Sequence, residues 1–477
     1  MGAHARPPRS YLLPRHHHPH LSRLRLPLFF PRDYDDDFTQ PRFWQLPIFR
    51  IPFQGRVGVP VFAFLTGFVC AYKPLRLAYQ NHNQPASLRS IARSAFRRAP
   101  RLILPAAIAT TISCILCIFG AYQTSSHCDA NFVRYDSPIQ QETLYLEVKR
   151  WLQMLGNTWT STENIYDRHQ WAMRPLLIGA FQVYIALAAT MGMKFKYRIT
   201  VHAMLMAYWW RNRKDFTETF GSPITLGTLL ADLSLHQGTQ NFLGAHNRLF
   251  TWIIAPIILL TGLYLGSYPH EHPEWSPWSD SMHNYFVLNP DPLTNEPRGS
   301  WLVPFETEPR RRMSSIAVQL TAISIFLSPS FREALSYRWL IWLGGHSFAV
   351  YLVHGTILRT VGMWIAYGTS GEGYIPEGTN EDSSYRDAVW LQRRSGCYVI
   401  TAVVVFVCLT YIAAWAWMKY VDSACAEATQ WLEKRVFDDE DEGAGDQRDA
   451  EKGYANNNGG VMNSDARRIN GFVQVPP

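Results

Sequence analysis

Apolar runs of bilayer length recur along most of this 477-residue chain, and they leave it few ways to fold. About 20 apolar residues in a row suffice to cross a membrane as a helix. Inside hydrocarbon every backbone N–H and C=O must be satisfied within the protein, so each run is expected to be helical rather than an open strand. A mean hydropathy of −0.13 hides this segmentation, because polar loops and a hydrophilic tail dilute the average. The runs fall at 57–72, 102–122, 175–193, 200–210, 224–235, 249–268, 314–327, 339–367 and 398–421. The expected fold is therefore all-α: a polytopic transmembrane bundle of about nine spans. Three regions follow: an irregular His/Arg/Pro-rich segment at 1–50, a membrane domain at 51–425, and an acidic, polar tail at 434–477. That tail is too hydrophilic to bury a core and is expected to be disordered.

The net charge of +7 is read by position. Residues 73–101 carry seven Lys/Arg and no acid, which marks that segment as cytoplasmic by the positive-inside rule. The basic 194–198 returns to the same side, whereas 211–214 disagrees with the rule. This charge fixes orientation and contacts lipid headgroups; it does not indicate a nucleic-acid partner. Seventeen Trp fit aromatic belts at the two interfaces. Seven scattered cysteines argue against a disulfide framework. Cys114 and Cys117 read as small buried hydrophobes on one helix, and Cys128 and Cys397 could pair. No Asn-x-Ser/Thr sequon helps to orient the chain.

The chemistry-bearing residues sit within or beside the apolar runs. His354 lies deep in the stretch 342–355, where a histidine needs a hydrogen-bonding neighbour, a wet cavity or neutrality. His346, nearer the helix start, can reach the interface. The stretch resembles the "LGxxSFxxYLxHGP" signature of the acyltransferase 3 family, multi-spanning enzymes that move acyl groups from acyl-CoA onto hydroxyls. Further matches follow in order over roughly residues 44–420. Gly55 to Phe62 with Thr66-Gly67-Phe68 resembles "GxxGVxxFFxxSGF/Y", with Thr66 where Ser is usual. Arg93, Arg97, Arg98, Arg101 and Pro105 resemble "RRxxRLxxP", and the run from Trp171 to Tyr184 resembles "WTxPxExxxSxxVY".

The resemblance implies acyl-CoA as co-substrate, no metal, and an acceptor that is a hydroxyl-bearing small molecule, sugar or lipid. Arg97, Arg98 and Arg101 would hold the phosphates of CoA, since planar guanidinium forks suit phosphate oxygens. Ordinary topology-setting charge is an equal reading. The family's general base is a histidine on a first helix, ten residues beyond an arginine, and that helix is missing or altered here. Arg6 followed by His17, within a run containing His16 and His18, is the nearest counterpart, although the prolines around it oppose a regular helix. His354 is the next candidate catalytic histidine, with a satisfied structural histidine as the plainer reading. At Leu176 the family usually carries a glutamate, and a leucine can neither orient a histidine nor accept a proton. The expectation is thus an acyltransferase, weak or inactive as the sequence stands. The competing class is a non-catalytic or transporter-like relative, favoured by the altered first helix and by Leu176; a transporter would show internal repeats and paired broken helices, and the one short pair here, 200–210 and 224–235, has no counterpart in the other half.

Overall fold

The computed structural model describes residues 42–437 apart from 82–83, 212–216, 270–271, 292–293, 295–296, 305–307, 370–389 and 392. Residues 1–41 and the tail from 438 lie outside it, and with them the expectations placed on His16, His17, His18 and the acidic run.

The basic segment 73–101 turns out to be mostly helix rather than connector. Helix α1 (Gly58–Asn81) continues into it and α2 (Gln84–Ile118) begins within it. Arginine, alanine and leucine are good helix formers, so the charge controls where the polypeptide leaves the bilayer without ending the helix. Arg93, Arg97 and Arg101 consequently recur every four residues along one face of α2. The remaining principal helices are α3 (Leu144–Thr160), α4 (Met173–Thr190), α5 (Phe195–Arg211), α6 (Thr217–Leu235), α7 (Ala255–Gly266), α8 (Pro309–Leu327), α9 (Arg338–Ile357), α10 (Gly396–Ala416) and α11 (Ser423–Val436). Among the described residues no named strand occurs; the only β pairings are isolated bridges, such as Cys128 with Leu391.

Every expected run is helical, but the count of nine spans is not exact. Among the described residues six helices are long and apolar enough to cross a membrane, or seven if Pro309–Leu327 and Pro329–Leu335, bent by 107°, form one span. Phe220–Leu235 is a shorter apolar helix. Helix α5 is also short and carries Lys196, Arg198 and Arg211, so it does not share the hydropathy of its neighbours. The helical run 338–367 contains a π-turn over Leu358–Gly362.

Alternating helix direction sorts the loops to two ends. At the basic end, the start of α5 meets the ends of α1 and α6. There Arg198 grips Asp232 with two bonds, Nε to Oδ2 at 2.6 Å and Nη2 to Oδ1 at 2.8 Å, while Tyr79 donates to the same carboxylate at 2.8 Å. At the opposite end Arg312, at the start of α8, donates to the Trp210 carbonyl near the end of α5 at 2.9 Å. The 3-10 turns of 42–57 pack at that second end, where the Ile48 N–H meets Ser267 Oγ at 2.7 Å and Trp278 Nε1 donates to the Gln45 carbonyl at 3.0 Å.

Helices α1 and α6 come close because glycine allows it. A Cβ on Gly67 would collide with the Ile224 carbonyl oxygen, and one on Gly227 with that of Phe64, the small-residue contact of membrane helix pairs. Around it lies the main apolar core, with Ala63, Leu75, Ala180, Val183 and Ala231. Cys114 and Cys117 are buried and free, as expected of small core residues. Cys128 and Cys397 do not pair: the first is buried, the second exposed, and both are free thiols.

Candidate active site

Two segments distant in the sequence, the turn bearing His169 and the helix bearing Tyr351 and His354, form a polar centre inside the apolar bundle. His169 stands on the 3-10 turn Arg168–Ala172 that leads into α4. Its ring lies 4.8 Å from that of His354 and 5.4 Å from that of Tyr351, centroid to centroid. The Tyr351 hydroxyl donates to the carbonyl of His169. Gly355 makes the approach possible, because a Cβ there would sit 2.7 Å from His169 Nδ1. The glycine after the histidine in the sequence motif is therefore a clearance for the second imidazole.

His354 Nδ1 lies 2.8 Å from the Tyr351 carbonyl and 3.1 Å from that of Val350. A carbonyl only accepts, so Nδ1 carries the proton and Nε2 keeps the lone pair. The His169 ring bonds the backbone of the same helix at Leu352, with Nδ1 over the Cβ position of Gly355. Its Nε2 is buried with no hydrogen-bond partner among the described residues.

In the π-turn that follows α9, a buried ion pair fixes the segment that carries His169. Arg359 Nη2 reaches Asp167 Oδ1 at 2.7 Å, both side chains being almost fully enclosed. The same guanidinium donates to the carbonyls of Gly355 at 3.0 Å and Asp136 at 2.6 Å. Asn164 Oδ1 receives the Asp167 and Tyr166 N–H groups at 3.1 Å each. Gln170 Nε2 donates to Asp167 Oδ2 and to the Ala106 carbonyl, both at 3.3 Å, and Thr110 on α2 donates to Gln170 Oε1 at 3.3 Å.

The arginines expected to act together part company. Arg101 is exposed. Arg97 meets Glu433 of α11 at 3.5 Å, next to Phe437, which packs on Phe96 and under Arg93. Arg98 points into the bundle: its Nη2 donates to the buried Thr66 at 3.1 Å, and its Nε is buried without a partner among the described residues. The threonine in the serine position of the motif is thus the contact of this arginine. Arg56 pairs with Glu308 at the far end, at 3.6 Å. His346 is buried rather than interfacial, with Nδ1 2.7 Å from the Trp342 carbonyl. Leu176 is a plain core residue.

His169, Asp167 and Arg359 escaped the sequence reading. One signal was available: Arg359 is a charge inside an apolar run, and such residues mark functional or tightly paired positions. His169 carried none, since it lies just before its motif begins.

Helices of this length and apolarity, interrupted by enclosed charges, define a polytopic integral membrane protein. The chain belongs to the acyltransferase 3 family, whose profile, described as an acyltransferase domain, matches residues 26–419. It is 22% identical over 440 residues to the O-acetyltransferase PaAT-1 of Phomopsis amygdali, covering 85% of this chain and 80% of that protein. No solved structure matches it significantly.

Proposed function

We propose that this protein transfers an acyl group from acyl-CoA to a hydroxyl of a small molecule, sugar or lipid acceptor. Family membership supports acyl transfer, and the relative's name supports oxygen as the receiving atom. For the CoA donor the carrying observation is Arg98, a cation inside an apolar bundle with Nε unsatisfied. A buried donor left without a partner calls for an explanation, and an anionic ligand supplies one. Arg101 and Arg97 lie on α2 beside it at the basic mouth, where a nucleotide's phosphates can enter from water.

The spacing suits a long thioester. Thr66, the contact of Arg98, is four residues from Phe62, about 6 Å along α1 at 1.5 Å per residue. Phe62 in turn touches Tyr351, and Tyr351 touches His169. Phosphates at Arg98 and Arg101 would leave the pantetheine arm to carry the acyl carbon up to the polar centre. Leu176, apolar where the family carries an acid, favours a non-catalytic relative instead.

One set of measurements decides between them. Binding of a non-hydrolysable CoA thioether to the detergent-solubilised protein, and acyl-CoA consumption in membranes, are followed for wild type, Arg97→Ala, Arg98→Lys and Arg101→Lys. The lysine variants keep the charge and lose the fork, so weakened binding with unchanged folding is expected. Unchanged binding in all three variants refutes the phosphate site. Tight binding without acyl-CoA consumption by wild type gives the non-catalytic reading.

A further inference from the structure

We infer that His169 is the catalytic base of this chain and that His354 positions its ring; the assignment rests on the acyl-transfer reading above. Four observations carry it. His169 Nε2 is buried and pairs with nothing among the described residues, and a buried polar atom in that state calls for an explanation. The ring bonds the backbone of Leu352 and Nε2 is the nitrogen without a partner, which leaves the proton on Nδ1 and the lone pair on Nε2. The ring is held by His354, by Tyr351 and by the clearance at Gly355, while Tyr351 and the Asp167–Arg359 pair immobilise its backbone. Its neighbour Gln170 contacts Ala106 and Thr110 of α2, five and nine residues beyond Arg101, or about 8–14 Å along the helix.

In the step this geometry supports, Nε2 of His169 takes the proton of the acceptor hydroxyl as that oxygen attacks the thioester carbonyl. The new C–O bond forms and a tetrahedral intermediate results. Its collapse breaks the C–S bond, and the departing thiolate receives the proton from the imidazolium. The products are the ester and free CoA thiol, with His169 neutral again. No carboxylate is required to set the tautomer, because the backbone of α9 does so. That makes the leucine at 176 compatible with turnover.

The test compares five proteins in membranes: wild type, His169→Gln, His169→Ala, His354→Gln and Gly355→Ala. Acyl-CoA consumption is followed across pH, and binding of the CoA thioether is measured in parallel. His169→Gln should lose a factor of about 10²–10⁴ in turnover and change the pH profile of the rate, while thioether binding persists. Gly355→Ala keeps both histidines yet pushes a Cβ toward Nδ1, so its turnover should fall as well. His354→Gln should lower the rate and retain the pH profile. Partial rescue of His169→Ala by added imidazole guards against a misfolded variant. If His169→Gln keeps turnover within about threefold of wild type and the same pH profile, His169 is not the base. A wild-type protein that consumes no acyl-CoA overturns the acyl-transfer reading as well as the base. An active wild type with an equally active His169→Gln overturns the base alone.

Discussion

Replacing Arg359 with methionine should be among the most damaging single changes outside the apolar core. The variant leaves the Asp167 carboxylate, which is fully buried, without its cation. Thr356 at 3.3 Å and Gln170 at 3.3 Å remain as donors, too few and too long to replace a guanidinium at 2.7 Å. Breaking one side of a buried ion pair costs about 3–5 kcal/mol, whereas removing both charges together is often near neutral. At roughly 1 °C per kcal/mol for a chain of this size, the midpoint should fall by about 3–5 °C. The buried thiols of Cys114, Cys117 and Cys128 lie at this end of the bundle, so reactivity toward a thiol-sensitive dye on heating reports the loss. The double variant Asp167→Asn with Arg359→Met should recover more than half of the drop, because no unpaired charge remains. A single variant within about 2 °C of wild type, or a double variant no better than the single, refutes the account.

Further outcomes are expected elsewhere. Gly67→Ala should destabilise by at least about 1–3 kcal/mol, read from the same melting assay, since the new methyl meets the Ile224 backbone of a helix that cannot yield; an unchanged midpoint would mean that α1 and α6 are farther apart. Glu147 lies outside the spans: burial alone would raise its pKa, but hydrogen bonds from Tyr166, Arg150 and the Gln141 N–H hold it below the ordinary carboxylate value. Its contribution is therefore complete at neutral pH and lost as the pH falls through the lowered value. Glu147→Gln should lower the midpoint at pH 7 and flatten its acid dependence, and parallel curves for the two proteins would contradict this. Tags placed at 142 and after 437 should show opposite protease access in sealed vesicles, because the first lies at the end of the bundle away from Arg97 and the second beside it; equal access would break the two-ended arrangement.

Much of the architecture is legible in local pattern. Hydropathy located each helical run, and the acid-free 73–101 located the basic end, because both are properties of consecutive residues. Four-residue spacing of Arg93, Arg97 and Arg101 likewise shows in the sequence once α2 is helical. Span number was less legible: α5 differs from true spans by its length and three cations, and its Arg198 is settled by Asp232 from another helix rather than by lipid. Three associations belong wholly to the tertiary structure. Arg97 meets Glu433 across 336 positions, Arg98 turns inward to Thr66, and the turn bearing His169 docks on α9, where Asp167 meets Arg359 across 192 positions. Periodicity and composition describe which residues share a helix face. They carry no information on which face meets which, and that is decided by clearances such as Gly67 and Gly355 and by the need of every buried charge to find its partner.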